Sequence, residues 1–126
     1  MKFRSKFEER IYEDAERKGK SLRFEPDDIV INYTISYRYW PDFELPNGIL
    51  VEAKGYLRPK DRTKMIQVKK ENPHLDIRFV FQRANTKLTK GKNSMTYAAW
   101  AEKHGFPWAE TKIPLEWFRE KRRKDY

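Results

Sequence analysis

The chain opens with a helical pattern. Ser5 and Glu8 have the spacing of a capping box, in which the serine caps the helix start and the glutamate reaches back to it. Apolar residues then recur every four positions from Phe7 to Ala15, so one face of this segment is apolar. The pattern predicts a first helix that ends near Gly19.

Residues 29–39 alternate in a way that is typical of a strand. Every odd position holds an aliphatic or aromatic side chain; these are Ile29, Ile31, Tyr33, Ile35, Tyr37 and Tyr39. Most strands have about 5–6 residues, so the alternation predicts one unusually long strand, or two strands in line.

The next apolar run, from Ile49 to Lys54, predicts another strand. Side chains two apart share a face of a strand, which separates Leu50, Glu52 and Lys54 from Ile49, Val51 and Ala53. The preceding Asn47-Gly48 dipeptide favours a tight hairpin turn in which both residues have positive φ. Such a turn folds the segment that carries Asp42 back beside Glu52.

The second half of the chain alternates between helical and strand patterns. In order, these predict a helix from Pro59 to Asn72, a strand over Ile77–Phe81, a polar loop over residues 83–94, a helix capped by Ser94 that ends at Gly105, and a short helix from Ile113. The element order predicts an α/β fold, a mixed sheet flanked by helices, in a single domain over residues 1–126.

Composition indicates a folded domain with a polyanionic partner. The 126 residues carry a formal net charge of +9, and 15% of them are aromatic, which supplies material for a core. Lys and Arg displace condensed counterions from phosphates, so a basic folded domain of this kind favours nucleic acid. Cysteine is absent, which excludes disulfides and thiolate metal sites, and two histidines argue against a zinc site.

Membrane association is not predicted. No apolar run is long enough to span a bilayer, residues 1–5 lack the apolar core of a signal peptide, and no helix has the basic amphipathic pattern of an interfacial anchor. We therefore expect a cytoplasmic protein with no membrane partner.

The predicted hairpin carries a pattern typical of metal-dependent nucleases. Pro41-Asp42, the turn and Glu52-x-Lys54 follow one another in the order of a PD-(D/E)XK site. Glu-x-Lys alone is common and fits two ordinary solvent-facing residues, whereas the ordered set is fairly specific. Two carboxylates and an ammonium would converge at a strand end, where oxygen ligands suit Mg²⁺. Glu44, a third acid nearby, is interpreted as a solvated strand residue.

Further landmarks are spread over nearly the whole chain. They are Phe3-Arg4-Ser5 with Glu8, Pro41-Asp42-Phe43, residues 45–49 and 51–55, residues 75–78, Thr86-Lys87-Leu88, residues 102–105, and Ile113-Pro114 before Glu116-Trp117. In this order and spacing they resemble the endonuclease I family of T-odd phages, whose members resolve four-way DNA junctions.

The resemblance implies a PD-(D/E)XK restriction-endonuclease-like fold and a Mg²⁺-dependent deoxyribonuclease, for which Mn²⁺ substitutes. It also implies a homodimer that grips a Holliday junction in a phage-infected cell and nicks two opposing strands. In that family the dimer is strand-swapped and each site is built from both subunits, which makes residues 29–39 the expected bridge.

The resemblance also assigns roles to single residues. Asp42 and Glu52, with the carbonyl of Ala53, are the expected metal ligands, and Lys54 would orient the attacking water or neutralise charge on the phosphate. Glu8 corresponds to the family's acidic residue on the first helix, a ligand of a second metal. Its capping box accounts for Glu8 without any catalytic role.

Basic residues in two segments and near the first helix are the expected DNA contacts. They are Arg4, Arg58, Lys60, Arg62, Lys64, Lys87, Lys90 and Lys92. Charge runs are usually solvated surface, so some of them are expected to be idle. Recognition would be of junction shape and backbone.

Two departures from the family pattern and two alternatives remain open. The chain begins close to the capping box and its tail, residues 119–126, is short, and either feature is expected to change DNA affinity without changing the chemistry. One alternative is a related nuclease acting on other branched, mismatched or duplex DNA. The other is a non-catalytic basic DNA-binding module.

Overall fold

A computed structural model describes residues 2–122, so the end of the expected tail, residues 123–126, lies outside this range. The chain divides between Tyr37 and Arg38 into two compact units, which are described separately. In chain order the elements are α1 (Lys6–Arg17), β1 (Phe43–Glu44), β2 (Leu50–Lys54), α2 (Pro59–Glu71), β3 (Ile77–Phe81), α3 (Tyr97–Lys103), β4 (Trp108–Glu110) and α4 (Leu115–Arg119).

The N-terminal unit contains α1 and confirms the first predicted helix. Ser5 is its N-cap, and the Ser5 hydroxyl accepts a hydrogen bond from the Glu8 backbone N–H at 3.2 Å. The helix stops just before Gly19, whose φ of 69° is easily adopted by a residue without a Cβ. The ring of Phe3 packs against the rings of Tyr12 and Phe24, with centroids 5.3 and 4.6 Å apart.

The long strand predicted over residues 29–39 is wrong for the single chain. This segment has no regular secondary structure, and its apolar side chains from Ile29 to Tyr37 are exposed, while Tyr39 is half-buried. The exposed fractions run from 56% for Ile29 to 86% for Tyr37. Strand geometry needs a hydrogen-bonded neighbour, and within residues 2–122 this segment pairs with no other strand.

The C-terminal unit confirms the mixed sheet flanked by helices. Its four strands lie in the order β1-β2-β3-β4. The β1 and β2 strands are antiparallel, and β3 and β4 continue the sheet in parallel with β2. The sequence analysis missed β4, since three residues are too few to show an alternating pattern.

The sheet has an apolar cluster on each face. The larger contains buried residues of β3, α2 and α3, such as Phe79, Met65 and Trp100, and Leu50 packs against it. The smaller contains Val51 of β2 together with Trp117 of α4. Leu50 and Val51 therefore face opposite sides, which confirms the alternation predicted for β2.

The cap predicted for α3 is wrong by two residues. Thr96 is the N-cap, and its hydroxyl accepts a hydrogen bond from the Ala99 N–H at 3.1 Å. Ser94 instead accepts a hydrogen bond from the Thr89 N–H at 2.9 Å and closes the polar loop. The helix begins at Tyr97, so Ser94 lies too far upstream to reach its first-turn N–H groups.

A buried arginine ties the end of the described chain to the sheet. Arg78 of β3 is 7% exposed and forms paired hydrogen bonds with both Asp76 and Glu120. The hydrogen bonds to Glu120 and Asp76 raise the pKa of the Arg78 guanidinium. Its guanidinium also lies 5.2 Å from the ring centre of Trp117. These contacts hold α4 against the sheet face opposite α2 and α3.

No helix within residues 2–122 combines the length and the apolar character needed to cross a bilayer.

Candidate active site

A turn between β1 and β2 sets the register of the hairpin. The Leu45 carbonyl accepts a hydrogen bond from the Gly48 N–H at 2.9 Å, and the Leu45 N–H donates to the Ile49 carbonyl at 2.8 Å. Gly48 has a φ of 91°, but Asn47 is not among the residues with positive φ. The expectation of positive φ at both Asn47 and Gly48 is therefore wrong. The geometry instead fits a turn in which Pro46 and Asn47 are the central residues and Gly48 follows in the left-handed conformation.

Asn47 has a different role from the one expected. Its side-chain amide donates to the carbonyls of Trp117 and Glu120, at 2.7 and 2.9 Å. The turn is thereby fixed to the C-terminal helix, which makes the hairpin a rigid support for the residues that flank it.

The hairpin brings Asp42 beside the end of β2, as predicted. Asp42 precedes β1, and its carboxylate oxygen Oδ2 accepts a hydrogen bond from the Ala53 N–H at 2.8 Å. Ala53 is the residue between Glu52 and Lys54, so the exposed carboxylate of Asp42 lies at the same strand end as both.

Glu52 is buried in the C-terminal unit, with 4% of its surface exposed. One carboxylate oxygen, Oε1, accepts a hydrogen bond from the Tyr39 phenol at 2.7 Å. The other, Oε2, lies 3.5 Å from the Lys54 ammonium, which lies 3.4 Å from the Asp61 carboxylate. Glu52 and Lys54 therefore share a face of β2, as the strand alternation predicted.

The Tyr39 phenol is affected by both candidate carboxylates. Burial raises the pKa of Tyr39 well above its usual value, and the hydrogen bond to Glu52 and the negative charges of Glu52 and Asp42 raise it further. The phenol is therefore a hydrogen-bond donor throughout the physiological range. The negative charges of both carboxylates therefore favour the protonated form of this phenol.

The backbone of β2 contributes a third oxygen. The Lys54 carbonyl accepts a hydrogen bond from the Gln82 N–H at 3.1 Å, on the β3 side of the strand. Carbonyls of successive strand residues point to opposite edges, so the Ala53 carbonyl points to the edge where Asp42 lies. The Ala53 N–H points to that edge too, which agrees with its hydrogen bond to Asp42.

This donor set fits a magnesium ion. Mg²⁺ favours oxygen ligands and is commonly held by one or two carboxylates, with water and substrate phosphate completing its coordination. Within residues 2–122 there is no group of three or more His, Asp or Glu side chains that could hold a metal ion. The candidate oxygens at this strand end are the carboxylates of Asp42 and Glu52 and the Ala53 carbonyl, and a metal held by them would take its other ligands from water and substrate phosphate.

Glu8 lies on α1 in the N-terminal unit, apart in sequence from the other candidate residues. Its carboxylate accepts hydrogen bonds from the Arg4 N–H at 2.9 Å and from the Ser5 hydroxyl at 3.4 Å. These are helix-capping contacts, and they account for the local geometry of Glu8 by themselves.

The basic residues predicted at the start of α2 differ in their exposure and in their contacts. Arg58 and Lys60 are exposed at the helix start. Arg62 is half-buried and donates a hydrogen bond to the Leu57 carbonyl at 2.9 Å, so it has a structural role. Lys64 is exposed, and its ammonium lies 5.5 Å from the ring centre of Tyr39.

The remaining predicted DNA contacts are exposed. Arg4 pairs with Glu25 at 2.9 Å in the N-terminal unit. Lys87, Lys90 and Lys92 lie in the polar loop, where the Lys87 ammonium donates to the Lys92 carbonyl at 3.3 Å.

Two residues of the site were not identified from the sequence. Tyr39 was identified only as the last residue of the alternation over residues 29–39, and Asp61 lies within the helix predicted from Pro59 to Asn72, with no role assigned to it. The Asp61 carboxylate accepts a hydrogen bond from the Arg58 N–H at 3.0 Å at the start of that helix. Its proximity to Lys54 depends on how α2 packs on the sheet, and no local pattern signals that contact.

Comparison with known proteins identifies the family. The profile of the phage endonuclease I family matches residues 1–125. Endonuclease I of Escherichia phage T7 is 40% identical over 125 residues, which cover 97% of this chain and 82% of the T7 protein. Endodeoxyribonuclease 1 of Enterobacteria phage T3 is 38% identical over 125 residues, covering 97% of this chain and 80% of the T3 protein. The resemblance drawn from the sequence landmarks is confirmed, and the chain belongs to the phage endonuclease I family.

Proposed function

We propose that this protein is a Mg²⁺-dependent endodeoxyribonuclease that resolves four-way DNA junctions by paired nicks in the cytoplasm of an infected cell. The names of the T7 and T3 relatives support the reaction class. The observation that carries the proposal is the buried Glu52 carboxylate, held between Tyr39 and Lys54 at the strand end where Asp42 lies.

Asp42, Glu52 and the Ala53 carbonyl hold the metal in this proposal. The chemistry that Mg²⁺ supplies when bound is activation of water and stabilisation of charge on the phosphate, and Mn²⁺ substitutes for it. Lys54 is fixed between Glu52 and Asp61, at 3.5 and 3.4 Å. From there its ammonium orients the attacking water or offsets negative charge that builds on the phosphate.

DNA binding rests on charge rather than on base readout. The net charge of +9 and the exposed Arg58, Lys60 and Lys64, at the start of the helix that follows β2, favour contact with the phosphate backbone. Arg4 and the lysines of the polar loop are further exposed basic residues for which we propose DNA contact. Such contacts follow the shape of a branched molecule and carry no sequence information of their own.

We also propose that the working form is a strand-swapped homodimer. The supporting observation is the run of exposed apolar side chains in residues 29–37, where Ile31, Tyr33 and Tyr37 are each more than 80% exposed. Exposed apolar side chains in this number favour an interaction site, and pairing with a second copy would supply the missing strand neighbour. Glu8 then completes each site from the partner chain.

The test uses a labelled four-way junction and its component duplex, with Mg²⁺ or Ca²⁺. The parent protein should nick the junction in Mg²⁺ far faster than the duplex, and Ca²⁺ should support binding without cleavage. Glu52→Gln should abolish nicking and leave junction binding largely intact, because DNA affinity resides in the basic residues. Glu44→Gln, at an exposed carboxylate on β1, is the matched control and should nick at the parent rate.

Nicking by Glu52→Gln near the parent rate would reject the site. Equal cleavage of duplex and junction would support the proposed nuclease activity but reject selectivity for the junction. Binding without any cleavage by the parent would support the non-catalytic alternative.

A further inference from the structure

We propose that Tyr39 is a positioning residue that orients the metal-ligating carboxylate of Glu52. This inference rests on the proposed metal site and adds a residue to it that neither the sequence pattern nor the family names assign.

The contact between the two side chains is short and sheltered. The Tyr39 phenol donates to Oε1 of Glu52 at 2.7 Å, and the Glu52 side chain is almost fully buried. Lys54 approaches the other oxygen, Oε2, at 3.5 Å. One carboxylate oxygen thus accepts a hydrogen bond and the other has an ion-pair partner, and the short, directional hydrogen bond favours one orientation of a side chain that otherwise rotates about three bonds.

Tyr39 is itself held in place. Its ring is half-buried against the apolar cluster formed by β3, α2 and α3, and the Lys64 ammonium lies 5.5 Å from the ring centre. Asp42 lies three residues later in the same segment, and its Oδ2 accepts a hydrogen bond from the Ala53 N–H. One short stretch of chain therefore supplies a proposed ligand and the residue that orients the other ligand.

A neutral phenol is well suited to this role. It fixes the carboxylate through a hydrogen bond but leaves its full negative charge for a cation, whereas a second ammonium would compete with the metal. Residues that orient metal ligands in this way typically contribute about 10–100-fold to metal affinity or activity. Loss of the hydroxyl should therefore weaken metal binding while the aromatic packing of Tyr39 stays in place.

The experiment compares Mn²⁺ binding by the parent and by Tyr39→Phe without DNA, with free Mn²⁺ followed by electron paramagnetic resonance. The variant should bind Mn²⁺ about 10-fold more weakly. Its nicking should fall at low Mg²⁺ and recover at high Mg²⁺, with junction binding in Ca²⁺ unchanged. Tyr56→Phe is the matched control, since Tyr56 is 73% exposed, and it should match the parent in every assay.

Unchanged or tighter Mn²⁺ binding by Tyr39→Phe would overturn the inference. A variant with a lowered unfolding temperature but parental Mn²⁺ affinity would also overturn it, because the phenol would then serve packing alone. Glu52→Gln in the same titration separates this failure from failure of the proposed function. If Glu52→Gln no longer binds Mn²⁺ and Tyr39→Phe binds it like the parent, the proposed metal site is supported and only the role of Tyr39 is rejected. If the parent binds no Mn²⁺, or Glu52→Gln binds it as well as the parent does, both the proposed metal site and the role of Tyr39 are rejected.

Discussion

At the scale of single residues, the site shows how a buried carboxylate is stabilised before any metal binds. Removing the charge of Glu52 from water is costly unless hydrogen bonds and an opposite charge compensate. The Tyr39 phenol and the Lys54 ammonium provide both. Lys54 is in turn shared with Asp61, so its charge is spread over two carboxylates rather than neutralised by one. The side chains are therefore ordered in advance, which lowers the cost of binding metal and substrate.

Gly48 provides a test of the hairpin that supports this site. Its φ of 91° is in the left-handed region, where a Cβ costs about 1–2 kcal/mol. Gly48→Ala should therefore lower the free energy of unfolding by about 1–2 kcal/mol, with nicking retained by the folded fraction. Urea unfolding followed by tryptophan fluorescence measures the change.

Gly91→Ala is the control for this substitution. Gly91 is not among the glycines with positive φ, and an added Cβ would meet the Thr89 hydroxyl at 3.4 Å, an ordinary contact. Its effect should stay within about 0.5 kcal/mol. Equal effects at the two glycines would show that the backbone conformation of Gly48 is not what the hairpin needs.

At the scale of elements, local signals were sufficient for some predictions and insufficient for others. The Ser5 cap, the alternation in β2 and the apolar run of β3 depend on neighbours in sequence, and each element formed as predicted. The alternation of residues 29–39 shows which side chains favour burial, but it does not show which part of this chain, or of another chain, buries them. In the single chain most of these side chains stay exposed. Tyr39 and Asp61 were missed because their contacts with β2 arise from how separate segments pack together, which no pattern within one segment reveals.

The polar loop between β3 and α3 is the element most accessible to a test of DNA binding. Lys87 and Lys90 are exposed there, and each phosphate contact contributes about 0.9 to the slope of log affinity against log salt concentration. Replacing both with Ala should make the slope for a four-way junction shallower by about 2. Fluorescence anisotropy at several salt concentrations in Ca²⁺ gives the slope without cleavage.

The control for the loop removes the same charge elsewhere. Lys103 and Lys112 are exposed and lie outside the predicted DNA contacts, so their double replacement with Ala should change the slope much less. A loop variant whose slope matches that of the parent would exclude Lys87 and Lys90 from the DNA surface.

At the scale of the whole molecule, two features of the single chain support assembly. The N-terminal unit ends in an exposed apolar segment that lacks a strand partner within residues 2–122, and Glu8 belongs to that unit while Asp42, Glu52 and Lys54 belong to the other. A second copy would bury the segment and supply the neighbour it lacks. Separation of the two chains should then be slow, since it would return an apolar face to water.

A mixed dimer tests whether the sites are shared between chains. One chain carries Glu8→Gln and the other Glu52→Gln, and the two are unfolded and refolded together. If each site takes Glu8 from one chain and Glu52 from the other, one site of the mixed dimer carries both substitutions and the other carries neither. One nicking activity should therefore survive, about half of the parent's per dimer because one of its two sites is intact. If each chain builds its own site, both sites carry one substitution and no nicking should remain.

Each variant refolded alone is the control and should be inactive. Differently sized affinity tags confirm that mixed dimers have formed, and inactive mixed dimers would reject shared sites.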